Sequence, residues 1–154
     1  MTRPPPGKTA DPTIIGWMEM VDLPELGLNG LKAKIDTGAR TSALHATDIK
    51  TFERDGQPWV AFMADSGHGL CDWPIEAAVH EERAIKNTSG TPEDRFVIRT
   101  RIRLARRLWT VELSLSDRTN MTFPMIVGRT ALKRKNIAVH AQKTFLATTK
   151  SPLH

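Results

Sequence analysis

Apolar and polar residues alternate along much of the chain, with the period of two that is typical of β-strands burying one face. The pattern is clear at positions 31–35, where lysines separate three apolar residues. It is strongest at 98–104, where arginines occupy every second position, and it resumes at 109–115. These last two segments predict an antiparallel hairpin with one buried and one solvated face.

Shorter segments of the same kind extend this prediction over the rest of the chain. Strands are predicted at 14–21, 49–53, 59–63 and 123–128, with another short strand between 71 and 79. Turns are predicted at Asn29-Gly30, immediately before the strand at 31, and at Asp55-Gly56. The composition of 88–94 is typical of a loop.

One short helix is predicted after Gly128-Arg129, where Thr130-Ala131-Leu132-Lys133 follows an apolar strand. Because strand patterns dominate elsewhere, we expect an all-β fold, closed or nearly closed as a small β-barrel.

Length and composition indicate a single domain. The chain has 154 residues, and 40% of them are hydrophobic, which suits one sizeable core. We expect a disordered N-terminal tail at 1–12, a β-barrel domain at 13–147 and a C-terminal tail at 148–154. The single cysteine, Cys71, excludes an intrachain disulfide and agrees with a reducing compartment. No apolar run approaches the length of a membrane span and no secretory leader is evident, so we expect a cytoplasmic protein with no membrane partner.

The first candidate functional residue is Asp36, which directly follows the predicted strand at 31–35 and precedes Thr37-Gly38-Ala39. Gly38 allows a sharp turn and close backbone approach. A carboxylate in such a turn can be fixed by a backbone N–H and a hydroxyl, but an isolated Asp-Thr-Gly is also common as a simple Asx turn. The tripeptide alone therefore leaves a structural and a catalytic interpretation open.

Three separated motifs favour the catalytic interpretation. They are KAKIDTGARTSALHA at 32–46, RFVI at 95–98 and MIVGRTAL at 125–132. In this order they resemble the retropepsin-like aspartic proteases, and in particular a bacterial and archaeal branch labelled ATP-dependent zinc proteases. The resemblance extends from about Ile14 to Leu146. It implies a β-barrel in which the second apolar strand lies beside the Asp-Thr-Gly turn.

The resemblance implies an aspartic endopeptidase with Asp36 as its catalytic residue, in a turn supported by Thr37, Gly38 and Ala39. Aspartic proteolysis needs two carboxylates that share one proton. This chain has one Asp-Thr-Gly, so the mechanism requires a homodimer in which both copies of Asp36 meet at a two-fold axis. Thr37 would then form a hydrogen bond across that axis.

The resemblance also suggests residues that contact the substrate. A flap is expected at 65–69, so that Gly67 and His68 would close over a bound peptide. His45 lies near the catalytic turn in sequence and is a further candidate for substrate binding. In viral members, the position of Arg40 holds an acidic residue that pairs with the arginine of Gly-Arg. Because this chain has Arg40 there, Arg129 needs another partner.

Arg40 could instead bind an acidic side chain of a protein or peptide substrate, and Arg129 is a further substrate-binding candidate. This suits the branch, because some of its members are associated with glutamate modification of a ribosomal protein. A solvated surface arginine remains the alternative interpretation of Arg40.

A zinc-dependent peptidase is a second alternative. His-Glu-x-x-His is absent, but His68 and Cys71, together with His45 or His80, have ligand types that zinc accepts. Scattered histidines are more often solvent-facing, so we expect no metal. Gly7-Lys8-Thr9 lacks the spacing and the preceding strand of a phosphate-binding loop, so we expect no ATP site.

Basic residues give the third alternative, a non-catalytic β-domain that binds RNA or a ribosomal surface. The net charge is +5. Basic residues cluster at Arg99, Arg101, Arg103, Arg106 and Arg107, and again at Lys133-Arg134-Lys135. Such a face can follow a phosphate backbone, or steer acidic peptides. It can also be a solvated strand face, partly offset by Glu112 across the hairpin.

Overall fold

A computed structural model describes residues 10–65, 71, 73–86, 89–117 and 122–148. Twelve β-strands, one short α-helix and a single 3-10 turn at Pro24–Leu26 lie within this part of the chain. The strands are β1 (Thr13–Gly16), β2 (Met18–Leu23), β3 (Leu28–Asp36), β4 (Ser42–His45), β5 (Thr47–Arg54), β6 (Gln57–Met63), β7 (Ile75–Ala78), β8 (Glu81–Lys86), β9 (Pro92–Leu104), β10 (Arg107–Ser116), β11 (Met125–Gly128) and β12 (Ile137–His140). The helix is α1 (Arg129–Leu132).

Six strands close into a barrel, which confirms the expected all-β fold. Their order is β10-β4-β11-β3-β2-β9, and β9 pairs with β10 to complete the ring. β11 is parallel to β3 and antiparallel to β4, so it runs between the two strands that flank the Asp-Thr-Gly turn. β8 adds to β9 outside the ring.

The alternating pattern of the sequence corresponds to the inner and outer faces of this barrel. Leu31, Ala33 and Ile35 of β3 are buried, as are Ile98 and Ile102 of β9. The arginines between the apolar residues of β9 are exposed. The predicted hairpin is confirmed as β9–β10, whose register places Glu112 opposite Arg99. Burial of the apolar face, at roughly 25 cal/mol per Å² removed from water, is the main force that closes the ring.

A second, three-stranded sheet has the order β5-β6-β7. The predicted turn at Asp55-Gly56 connects β5 to β6, with φ angles of 55° and 76°. Two consecutive residues with positive φ are typical of a type I′ hairpin turn, which Asp-Gly favours. This part of the sequence prediction is confirmed.

Three local predictions differ from the structure. Asn29-Gly30 lies inside β3, where Gly30 has a φ of 70° and its N–H donates to Asp22 Oδ1 at 2.8 Å. β9 begins at Pro92, within the stretch whose composition indicated a loop. β8 and β12 were not predicted, and β8 consists mostly of charged residues. β8 forms a strand because it pairs with β9, and this pairing overrides the weak intrinsic strand preference of its charged residues.

The two ends of the described chain are joined. β1 and β12 form a parallel pair. Glu19, fully buried on β2, accepts hydrogen bonds from the N–H of Gly16 at 2.7 Å and from the N–H groups of Leu146, Ala147 and Thr148 at 2.9, 3.1 and 3.1 Å. The Thr148 hydroxyl donates as well, at 2.5 Å. One carboxylate therefore fixes the C-terminal segment against the barrel.

Among the described helices, none has the length and apolar character that a bilayer crossing requires.

Candidate active site

Asp36 is the last residue of β3, directly opposite Gly128 of β11. The Gly38 N–H donates to Asp36 Oδ1 at 3.1 Å, and the Ala39 N–H donates to the Asp36 carbonyl at 3.1 Å. A Cβ on Gly38 would lie 3.3 Å from the same Oδ1. The turn therefore holds the carboxylate close to its own backbone, as the sequence suggested, while leaving Asp36 partly exposed.

The end of β11 supports this turn from behind. A Cβ on Gly128 would come within 2.6 Å of the Thr41 backbone, so only glycine allows this approach. The Gly128 N–H donates to Ser42 Oγ at 2.9 Å, and Ser42 is buried. Sequence reasoning did not single out Ser42. The apolar strand ending in glycine was the available signal that a second backbone passes close to the turn.

Arg129 and Thr130 complete the support. Arg129 Nη1 donates to the Gly38 carbonyl at 3.1 Å and its backbone N–H donates to the Ala39 carbonyl at 2.8 Å. Thr130 Oγ1 donates to the Arg40 carbonyl at 2.7 Å. The partner that Arg129 needed is therefore main chain rather than an acidic side chain. No described cation forms an ion pair with the Asp36 carboxylate.

A cavity of about 790 Å³ opens beside the Asp36 turn. One wall is Ala39, Arg40 and Thr41, with Thr130 of α1 behind them. The rest of the lining is the second half of β8, positions 83–86, together with Glu112 of β10. Its volume lies within the range of small-molecule and peptide side-chain sites.

Some of the charged residues that line the cavity have partners of opposite charge, and others do not. Arg83 donates to Glu112 Oε1 at 2.9 Å and also pairs with Glu81. These hydrogen bonds lower the pKa of the Glu112 carboxyl below its ordinary value and raise the pKa of the Arg83 guanidinium above its ordinary value. Arg40 and Lys86 have no carboxylate partner among the described residues. The cavity therefore presents two uncompensated positive charges.

The other predicted substrate-binding residues lie elsewhere or outside the description. His45 is at the far end of β4 from Ser42, about 10 Å along an extended strand. Its Nδ1 lies 3.9 Å from Asp117 Oδ1. Gly67 and His68 fall outside the described residues, together with most of the expected flap at 65–69. β8, which the sequence prediction missed, supplies four of the residues that line the cavity beside the Asp36 turn.

Potential metal ligands come together in a cluster that shares only His80 with the predicted set. In the part of the chain that the structure describes, His80, Glu81 and Glu112 place one ligand atom each within 4.8 Å of one another. The Arg83 guanidinium is already hydrogen-bonded to both carboxylates and supplies the positive charge there. Of the predicted zinc ligands, Cys71 Sγ contacts the Trp73 carbonyl at 3.2 Å, and His68 is outside the description.

The arginines on the outer face of β9 have acidic neighbours. Arg99 lies 3.4 Å from Glu112, Arg101 lies 3.8 Å from Glu25 and Arg103 lies 3.9 Å from Asp22. We call these three residues the arginine stripe. Because each charge is offset by a carboxylate, the stripe presents a weaker positive field than the sequence suggested.

A closed six-stranded barrel that carries one Asp-Thr-Gly turn, braced by a Gly-Arg strand end, defines the retropepsin-like class. The chain belongs to the RimB-like family, described as retropepsin-like aspartic endopeptidase RimB, and the match covers residues 14–150. This confirms the family that the three motifs resembled.

Similar proteins include longer chains. A protein of Desulfotalea psychrophila is 44% identical over 128 residues, which is 77% of this chain and 26% of that protein. One of Shewanella pealeana is 39% identical over 126 residues, or 80% of this chain and 28% of that protein. Both are named probable alpha-L-glutamate ligase. The chain thus spans about a quarter of the length of these curated relatives.

Among solved structures, Lpg0085 of Legionella pneumophila, described as a protein of unknown function (DUF785), superposes with a TM-score of 0.75 at 29% identity. The superposition covers 88% of this chain and 98% of that chain.

Proposed function

We propose that this protein is an aspartic endopeptidase that acts as a homodimer, with Asp36 of each chain forming the catalytic pair. The observation that carries the proposal is the state of the Asp36 carboxylate. It lies at a strand end, is partly exposed, accepts a hydrogen bond from the Gly38 N–H and forms no ion pair with a described cation. A carboxylate kept in this state is available to react and to share a proton with a second acid.

The second acid comes from a second copy of the chain. Glu112 also borders the cavity, but Arg83 and Arg99 bind its carboxylate, and the Arg83 hydrogen bond lowers the pKa of this group. A lowered pKa disfavours the protonated form that a pair sharing one proton requires. A two-fold axis next to the Asp36 turns would bring two identical carboxylates together, and such a pair titrates as a coupled unit.

The chemistry then follows from one shared proton. The ionised Asp36 accepts a proton from water as the water oxygen attacks the peptide carbonyl carbon. The protonated Asp36 of the other chain donates its proton to the carbonyl oxygen, giving a tetrahedral diol. As the carbon–nitrogen bond breaks, the nitrogen takes the proton that one carboxyl group had gained from water. A diol hydroxyl gives its proton to the other carboxylate, so the product is a carboxylic acid and the pair again holds one shared proton.

The cavity beside the turn suits an acidic substrate side chain. Arg40 and Lys86 both line it, and neither has a carboxylate partner among the described residues. The relatives named probable alpha-L-glutamate ligase carry a domain similar to this chain as part of a longer polypeptide. We infer that the substrate is a peptide containing glutamate, cleaved next to an acidic residue that binds between Arg40 and Lys86.

The test compares Asp36→Asn with Asp55→Asn on a glutamate-rich fluorogenic peptide. Asp55 occupies an exposed hairpin turn with a φ of 55°, a conformation that asparagine also adopts readily, so this variant is a matched control. We expect hydrolysis to fall by about a thousandfold or more in Asp36→Asn, and to be unchanged in Asp55→Asn. Activity retained in Asp36→Asn, or a strictly monomeric active form in analytical ultracentrifugation, rejects the proposal.

A further inference from the structure

Two turns meet at one end of the barrel and form a second, separate basic surface. The β9–β10 turn contains Arg106 and leads into Arg107, while α1 is followed by Lys133-Arg134-Lys135. Arg107 Nη1 donates to the Lys135 carbonyl at 2.7 Å, which ties the two turns together. We call the five residues Arg106, Arg107, Lys133, Arg134 and Lys135 the basic corner.

Trp109 contacts both turns of the basic corner. Its Nε1 donates to the Ala131 carbonyl at 2.9 Å, and the side chain is only 9% exposed. The Arg107 guanidinium and the Lys135 ammonium each lie 5.5 Å from the ring centroid. Cation–π contacts of this kind hold two cations at fixed positions without neutralising them.

The remaining three cations point outward without compensation. Arg106, Lys133 and Arg134 are exposed, and no carboxylate in the described ranges forms an ion pair with any of them. Arg106 and Arg134 have φ angles of 64° and 65°, so the backbone bends sharply at both residues. Asp11 approaches this loop through its backbone carbonyl, which accepts a hydrogen bond from Asn136.

We propose that the basic corner binds the phosphate backbone of RNA. Five cations gathered on two projecting turns fit a line of phosphates, whereas a peptide side chain needs a recess such as the cavity beside Asp36. Trp109 is covered and cannot stack on a base, so recognition is by charge and backbone shape and is insensitive to base sequence. The corner is thus a docking surface, distinct from the proposed catalytic cavity.

This assignment predicts a steep dependence on salt. Each phosphate contact releases condensed counterions, so up to five contacts give a slope of log affinity against log salt of about −4. Removing two contacts should weaken binding at least about tenfold at roughly 0.1 M salt and should reduce the slope by about 1.5.

The experiment measures fluorescence anisotropy of a labelled RNA duplex of about 16 base pairs, of arbitrary sequence, from about 50 to 300 mM KCl. The corner variant is Arg106→Gln with Arg134→Gln. The matched control is Arg101→Gln with Arg103→Gln, which removes the same charge from the arginine stripe. We expect the loss of affinity and of slope in the corner variant, and little change in the stripe variant.

Equal losses in both variants would assign the binding to net charge and overturn the proposal. So would a native protein that does not bind the duplex below about 100 μM at the lowest salt, or a corner that captures a polyglutamate peptide but not RNA. An assay of peptide hydrolysis on the same variants distinguishes a failure of this proposal from a failure of the proposed function. The corner variant should cleave peptide normally, and Asp36→Asn should bind RNA normally.

Discussion

Two acidic residues lie on adjacent strands of this barrel, Glu19 on β2 and Asp36 on β3, and they differ in burial and in hydrogen bonding. Glu19 is completely buried, and five described donors surround its carboxylate. Asp36 is partly exposed and accepts one hydrogen bond from the Gly38 N–H. A carboxylate whose acceptor sites are filled by the protein supports the fold, while one left with open sites can take part in chemistry.

The largest expected effects separate these two roles directly. Glu19→Ala removes the acceptor for four backbone N–H groups and should lower the free energy of unfolding by about 3–5 kcal/mol. Asp36→Asn should change it by less than about 0.5 kcal/mol while abolishing hydrolysis. Urea unfolding followed by circular dichroism measures both. If Asp36→Asn proved the more destabilising of the two, the division between structural and catalytic acid would be wrong.

The next effect concerns the close approach of β11 to the Asp36 turn. Gly128→Ala places a methyl group within 2.6 Å of the Thr41 backbone, so the turn must move. We expect a loss of about 2–3 kcal/mol of stability together with a large loss of kcat, because the Asp36 carboxylate is displaced. The matched control is Gly27→Asn, at a position with a φ of 71° and no atom within 4 Å of an added Cβ. A fully active Gly128→Ala would show that the turn is not held by this contact.

A smaller effect tests the charge of the cavity. Arg40→Gln removes one of its two uncompensated cations, and we expect kcat/KM for a glutamate-containing peptide to fall roughly tenfold. The same peptide with glutamine in place of glutamate should show no difference between the variant and the native protein. Arg101→Gln serves as the control, since Arg101 lies on the arginine stripe beside Glu25. Equal losses on both peptides would assign Arg40 a structural role.

The smallest effect is a pH dependence from Glu112. The Arg83 hydrogen bonds lower the pKa of this carboxyl in the folded protein, so its contribution to stability is present above the ordinary value of 4.5 and is lost as the pH falls through the lower folded value. Because Glu112 is partly exposed, the contribution should be under about 1 kcal/mol. Thermal unfolding of Glu112→Gln should differ from the native protein at neutral pH, and the difference should shrink as the pH is lowered below 4.5. A constant difference across this range would contradict the assignment.

The sequence was informative wherever burial follows a strict period of two. β3, β9 and β10 were predicted from their alternation, and the Asp55-Gly56 turn from its local chemistry. β8 could not be predicted, because its partner β9 and not its own charged residues makes it a strand. The cavity was missed for the same reason, since one of its walls is β8. Arg40 was identified from a motif, whereas Ser42 and Lys86 gain their positions only from contacts that the fold creates.

The buried acid on β2 also constrains when the molecule can finish folding. Its donors at the C-terminal segment are 127 to 129 positions away along the chain, so no partial product of translation that lacks them can satisfy that carboxylate. Contacts of such long range are slow to form, because loop closure must precede the interactions that reward it. The barrel should therefore be completed only after almost all of its described residues have left the ribosome.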